Sequence, residues 1–545
     1  MPGSLSFRDF SKRIAASFLQ SVVVVDDGAF FHEADRLRPH ELEKPTRGTK
    51  PKKATPPEAG TVTIEDEAHD LDAKALIDAF AEKGLVCSIL KPTFQESFEE
   101  KALQAAFRAD IVSLDWQVQG VFGKDAAGLL QKIVRAAKEQ GDRLHLIAIY
   151  TADNSLVQIK EKIEETLVAY GEVTKEEDDC LMIQGATRVC IFAKEHNSGV
   201  IPADRRLPEG QLPGRLIDEF TKMTMGLLPN AALESLSAIR LNTHRILGKF
   251  CPGLDAPYLT HRALLVEPED AEDYLTSLIA EELRDILEEI NIGAIANLNT
   301  IKAWLKGKED SGGCFVLKRP QGEKLIEVKL SQEDICDLLS GGVSKWKCKD
   351  IPIGKPLNLA LTEMFHGEES SSLSLDDSFA VAATMRSHYG SRNPALTFGA
   401  ILKSESVEEG PHYWVCLQQP CDCIIRDDGT KRGFVFLPLS PADNSGFNIV
   451  VREKDKFLRL ASSDNSYDIK AIEFSFPAQF RGSIKSEKAG ENYCFDDAKG
   501  NRYIWLGELK PEKAQRILQV VGNKFTRVAM DDPEWLRRSS RQPKR

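Results

Sequence analysis

Long apolar runs are missing from this 545-residue chain. The longest, such as Ser21 to Val25 and Leu144 to Tyr150, fall far short of the roughly 18 residues needed to cross a bilayer, so no membrane span is expected. The N-terminal Met-Pro-Gly-Ser-Leu-Ser-Phe lacks a basic start, an apolar core and a small-residue cleavage site, and nothing in it marks secretion. Cysteine is sparse and odd in number: 11 residues spread from Cys87 to Cys494 suit free thiols in a reducing cytoplasm and not a disulfide framework. Net positive charge is absent, and a formal charge of -12 opposes wholesale nucleic-acid binding. After residue 200 there is no glycine-rich phosphate loop, no H-E-x-x-H, no nucleophile elbow and no nucleosidase-like signature. What is present is the composition of a soluble globular protein, 42% hydrophobic and 28% charged, long enough for about three domains.

From residue 20 to about 196, short apolar runs alternate with helical patterns, which predicts βαβ units and a parallel sheet covered on both faces. The runs are Ser21 to Val25, Leu85 to Leu90, Asp110 to Leu114, Leu144 to Tyr150 and Thr187 to Phe192, with helices over 70–83, 96–108, 126–140 and 155–170. Residues 28–66 hold five prolines and seven lysines and arginines where a βα connection normally takes two to six residues, and read as a basic insertion. The reading gives three domains: 1–200, a helical segment over 201–310, and a β-rich α+β domain over 311–545. In the helical segment, stretches over 215–225, 231–249 and 268–306 are expected. Leu275, Ile279, Leu283, Ile286, Leu287 and Ile290 there recur at helical spacing, either as an intrachain core or as a homodimer bundle. A serine-acidic loop is expected over 367–377, antiparallel strands from 413 to 476, and a last helix over 511–530 before a basic tail. Cys416, Cys421 and Cys423 near His412 raise a zinc reading, but C-x4-C-x-C lacks a second knuckle, and strand alternation reads them as buried thiols.

In an open parallel sheet ligands bind beyond the carboxyl ends of the strands, so the residues ending each run matter most. They are Asp26 and Asp27, Asp115, Thr151 and Lys194. Three carboxylates meeting at one edge repel one another unless a cation lies among them, and hard oxygen donors suit Mg²⁺. A hydroxyl and an ammonium facing the same point fit the oxygens of a phosphoryl group.

This order resembles the receiver domain of two-component response regulators, over residues 20 to about 200. The resemblance implies a flavodoxin-like, doubly wound, five-stranded fold with a long insertion after the first strand. It implies that Asp26, Asp27, Asp115 and the backbone carbonyl of Gln117 hold Mg²⁺, that Asp115 accepts the phosphoryl group, and that Thr151 and Lys194 contact it. A sensor histidine kinase is the implied partner. Some features depart from the family: Glu195 stands where a cis-proline is usual, and Ile191 where an aromatic residue is usual. Val118-Gln119 also replaces the usual Met-Pro. The segments Tyr413 to Cys423 and Phe434 to Leu439 are similar to receiver-bearing proteins of bacterial antiphage defence, in particular the Detocs-type defensive two-component system. That implies a phosphate-sink component acting beside a second response regulator, and not a free-standing enzyme. The alternatives are a receiver with an unrecognised effector enzyme and a DNA-binding transcriptional regulator.

Overall fold

The computed structural model describes residues 6–525, except 32–69, 93–97, 118–123, 140, 142, 169–172, 176–180, 184–186, 196, 198–200, 311–313, 322–323, 347–356, 367–368, 391, 407–409, 427–428, 444–445 and 464. Most of the basic insertion, Val118-Gln119 and the basic tail therefore lie outside the described residues. Contacts divide the chain into two units, Met1–Gly312 and Gly313–Arg545. No described helix is long and apolar enough to cross a membrane.

The first unit opens with α1 (Phe7–Phe18), whose Ser6 N-cap accepts a hydrogen bond from Asp9 N–H at 3.1 Å. Then follow β1 (Ser21–Val25), β2 (Ala29–Phe30), β3 (Leu71–Asp72), α2 (Ala73–Glu82), β4 (Val86–Leu90), α3 (Phe98–Ala106), β5 (Ile111–Leu114), α4 (Lys124–Glu139), β6 (His145–Thr151) and α5 (Leu156–Leu167). The sheet is completed by β7 (Val173–Lys175), β8 (Leu181–Ile183), β9 (Thr187–Lys194) and β10 (Arg206–Leu207). The five expected strands pair in parallel in the order β4-β1-β5-β6-β9, the doubly wound flavodoxin-like arrangement. Three short additions lie on the far edge. Strand β8 runs antiparallel to the start of β9 and pairs with β7, and β10 runs parallel to the end of β9, so the outer edge of β9 is covered in two pieces.

Burial on both faces of β1, β5, β6 and β9 explains why these strands read as nearly continuous apolar runs. Val22, Val24, Leu146, Ala148, Tyr150 and Phe192 pack on one side with Ile14 and Phe80. Val23, Val25, Val112, Leu114, Ile147 and Ile149 pack on the other with Leu130, Ile133 and Ile159. Strict alternation thus sends each strand into two separate cores.

Helices α6 (Leu212–Thr224), α7 (Leu227–Lys249), α8 (Asp255–Leu264), α9 (Asp270–Glu289) and α10 (Leu298–Asp310) complete this unit. Leu212, Leu216 and Phe220 of α6 join the core that α1 covers, and buried Asn230 of α7 donates to Ser11 at 2.9 Å. The single helix expected over 268–306 is instead α9 and α10. Asn291, in the left-handed region at φ 51°, ends the first, and the Asn297 carboxamide oxygen accepts from Asn299 and Thr300 N–H to start the second.

The second unit holds a largely antiparallel sheet of nine strands and a separate hairpin, Phe315–Gln321 with Lys324–Leu330. In the large sheet Lys431–Pro441 is central, pairing with Gly410–Cys416, Lys456–Ser462 and Lys470–Ser475. Its two faces bury Ile401, Val415, Leu437 and Val451 on one side and Leu402, Phe434, Phe436 and Phe474 on the other. The loop expected over 367–377 is a helix, Glu369–Thr384. Its acidic side chains are engaged across elements: Asp376 accepts from Asn358 and Thr362, and Asp377 pairs with Arg459 at 2.9 Å. They are thereby removed from the local backbone competition that makes such residues favour loops.

Candidate functional site

Strand order reverses between β1 and β5, where connections leave in opposite directions and open a crevice at the carboxyl edge. Asp26 follows β1 and Asp115 follows β5, and the backbone locks them in step. Asp115 N–H donates to Val25 C=O at 2.9 Å, and Asp26 N–H donates to Leu90 C=O at 3.2 Å. Lys194, the last residue of β9, reaches across β6 so that its Nζ lies 2.8 Å from Asp26 Oδ2 and 3.0 Å from Asp115 Oδ2. All three are almost completely buried, at 1%, 2% and 3% exposure. Asp27 is half-buried, and oxygens of Asp26, Asp27 and Asp115 all lie within 4.8 Å of one another.

The electrostatics follow from one cation among three carboxylates. Burial pushes the Asp26 carboxyl up to about 7; Lys194 opposes this, while Asp115 and Asp27 reinforce it. Burial pulls the Lys194 ammonium down, but Asp115 and Asp26 together outweigh it and hold it above its ordinary value. The donor set, three hard carboxylates within 4.8 Å of one another, fits a divalent cation such as Mg²⁺.

Thr151 ends β6 opposite Ala193 and is fully buried. Its Oγ1 accepts from Asp153 N–H at 3.1 Å, which leaves the hydroxyl proton to donate. Gln117 lies in the turn after β5, where its N–H donates to Asp115 Oδ1 at 3.3 Å and its Nε2 donates to Asp153 Oδ2 at 3.3 Å.

Three site residues escaped the sequence reading. Gly28 N–H donates to Asp26 Oδ1 at 2.8 Å and fixes that carboxylate. Asp153 accepts from Ser155 N–H at 2.8 Å and shapes the entry to α5; Asp-x-Ser before a helical pattern was the available signal. Buried Asn197 donates from Nδ2 to the carbonyls of Ala152 and Asp153, both at 2.8 Å, tying the loop after β9 to the loop after β6. No local pattern announces that contact. The loop after Lys194 is thus held, with exposed Glu195 at its start. Ile191 packs into the core beside α5, while Phe192 faces the opposite core under the guanidinium groups of Arg205 and Arg215. In the second unit Cys416 and Cys423 are buried and Cys421 is exposed. Among the described residues the only cluster of metal-ligating side chains is the three carboxylates.

Residues 18–199, about a third of the chain, match the family model described as response receiver domain. No curated protein matches the chain.

Proposed function

We propose that this chain, whose residues 18–199 form a receiver domain of the kind that serves as phosphoacceptor in two-component response regulators, takes a phosphoryl group from a partner histidine kinase onto Asp115. The observation that carries the reading is the single ammonium of Lys194 bridging Asp26 and Asp115 at the switch point of the sheet. A carboxylate oxygen of Asp115 attacks phosphorus, the bond to the kinase imidazole nitrogen breaks, and the imidazole keeps the electron pair and takes up a proton. Lys194 then shifts its charge from the carboxylate to a phosphoryl oxygen, and the Thr151 hydroxyl donates to another. Asp26, Asp27, Asp115 and the Gln117 carbonyl would hold Mg²⁺, which supplies neutralising charge for the phosphoryl oxygens.

The finer reading is a cytoplasmic phosphate-sink component of an antiphage two-component system, with no enzymatic activity beyond its own phosphorylation and dephosphorylation. It is supported by the aliphatic Ile191 set in a packed core, which offers no large side chain to carry the change in charge elsewhere. Incubation with Mg²⁺ and acetyl phosphate, or with a cognate kinase, should add one acid- and base-labile phosphoryl group, and Asp115→Asn should abolish it. Labelling that survives Asp115→Asn, or none with a verified kinase, overturns the phosphoacceptor assignment. Hydrogen exchange with and without the phosphoryl group tests the sink. Changes confined to residues 20–200 fit it, and large changes across 214–306 or 397–530 point to an effector instead.

A further inference from the structure

About half of the large apolar side chains that stand exposed among the described residues fall between residues 225 and 290. They include Leu247 at 73%, Leu259 at 62%, Leu264 at 80%, Leu275 at 44%, Ile279 at 36% and Ile290 at 37% exposure. On α9 and the residue that ends it, Leu275, Ile279 and Ile290 lie four and eleven residues apart, so they stand on one stripe of the helix. Scattered apolar residues on a surface need no explanation, whereas a contiguous set on neighbouring helices marks an interface.

The charges indicate what covers it. In the C-terminal half of α7, which holds no carboxylate, Arg240 is taken by Asp110 and Lys249 by Glu282 of the same chain, while His244 and Arg245 stand exposed; α9 carries eight carboxylates against the single Arg284. The two helices lie side by side, joined by the ion pair of Lys249 with Glu282. A surface with an exposed cation, Arg245, beside a strongly acidic helix is complementary to itself after a two-fold rotation, which lays the Arg245 end of each α7 against the partner's α9. We propose that the α7–α9 face is a dimerisation surface and that its occupant is a second copy of this chain.

Sedimentation equilibrium of the full chain at micromolar concentration should return twice the chain mass. The double variant Leu275→Glu with Ile279→Glu places charge on exposed positions, so it should fold with an unchanged circular dichroism spectrum and weaken the dimer by roughly 100-fold. Two charge-reversed chains give the sharper test. Chain one carries Arg245→Glu, which cancels the net positive charge of its α7; chain two carries Asp285→Lys and Glu288→Lys, so its α9 loses its acidic excess at that end. Each alone should dimerise less well than the unaltered chain, and an equimolar mixture should recover a heterodimer. A chain that stays monomeric at tens of micromolar overturns the proposal and assigns the face to residues 313–545 or to a different protein. A mixture no tighter than its components overturns the pairing of α7 with α9.

Discussion

Strand β9 carries a buried ion cluster near each end, and the two are opposites. At its carboxyl end one ammonium, Lys194, serves Asp26 and Asp115 with Asp27 close by, and the Asp26 carboxyl is pushed up to about 7. Near its start one carboxylate, Glu219 of α6, receives Arg188 at 2.7 Å and Arg215 and Lys222 both at 3.1 Å. Burial pushes Glu219 up as well, but hydrogen bonds from Arg188 and Lys222 outweigh it and hold the carboxyl below its ordinary range. The comparison separates a structural cluster from a reactive one. Glu219 has its compensating charge already in the protein and ties α6 to the sheet. Asp26 and Asp115 share the one ammonium of Lys194 between them, so a cation from solution and an incoming phosphoryl group have a place to act.

The largest stability effect should come from the satisfied cluster. Glu219→Gln removes the carboxylate that the buried Arg188 guanidinium pairs with, and breaking a buried pair from one side costs about 3–5 kcal/mol. The urea midpoint of the transition that includes residues 6–310 should fall accordingly, while Mg²⁺ affinity stays within about twofold of the unaltered chain. A loss of Mg²⁺ affinity as large as that caused by Asp27→Asn would show that the two clusters are coupled along β9, and the contrast drawn between them would fail.

The two clusters also differ in how far the sequence announces them. Asp26, Asp115, Thr151 and Lys194 each end a β-branched run, and in a parallel sheet that position alone sends them to one edge. Glu219 sits mid-helix among ordinary amphipathic spacing, and Arg188 lies inside a strand between buried neighbours. Only the packing of α6 on β9 makes them a pair. The same limit explains other misses. Helix α1 left a faint signal in Phe7, Phe10, Ile14 and Phe18, yet its importance comes from contacts with α6 and α7, more than two hundred residues away. The helix over Glu369–Thr384 was hidden because serine and aspartate favour loops unless distant partners such as Arg459 engage them. The short strands β7, β8 and β10 lacked the length that makes alternation readable.

A second contrast runs between the two ends of the sheet. The carboxyl edge holds polar groups that bind one another, whereas His145 at the amino end of β6 is fully buried and neither ring nitrogen has a hydrogen-bond partner among the described residues. Burial lowers its pKa to about 4, helped by Arg143 and opposed by Asp110. As pH falls below about 6.5 the unfolded chain takes up this proton before the folded one, so stability is full above that point and declines until about pH 4. The shift corresponds to a loss on the order of 3 kcal/mol. His145→Leu, which keeps the volume and removes the titration, should flatten the pH dependence of the urea midpoint between pH 6.5 and 4. An equally steep decline in the variant would place the acid sensitivity in other groups.

The smallest effect expected is the one that tests the reactive cluster without any phosphoryl donor. A ligand that binds only the folded state stabilises it by about 2.7 kcal/mol at a hundredfold excess over its Kd, so Mg²⁺ should raise the melting midpoint of the first unit. Binding must displace a proton wherever Asp26 is protonated, and that carboxyl titrates at about 7. The stabilisation should therefore be slight at pH 6, grow through pH 7 and level off above pH 8. Asp27→Asn removes one anionic donor and should cut the affinity about tenfold or more, shrinking the shift at fixed Mg²⁺ by roughly 1.4 kcal/mol. Glu219→Gln should start from a lower midpoint and gain the same increment as the unaltered chain. A shift that ignores pH between 6 and 8, or that survives Asp27→Asn unchanged, would mean that Mg²⁺ binds away from Asp26 and Asp27, and the acidic cluster would lose its claim to the metal.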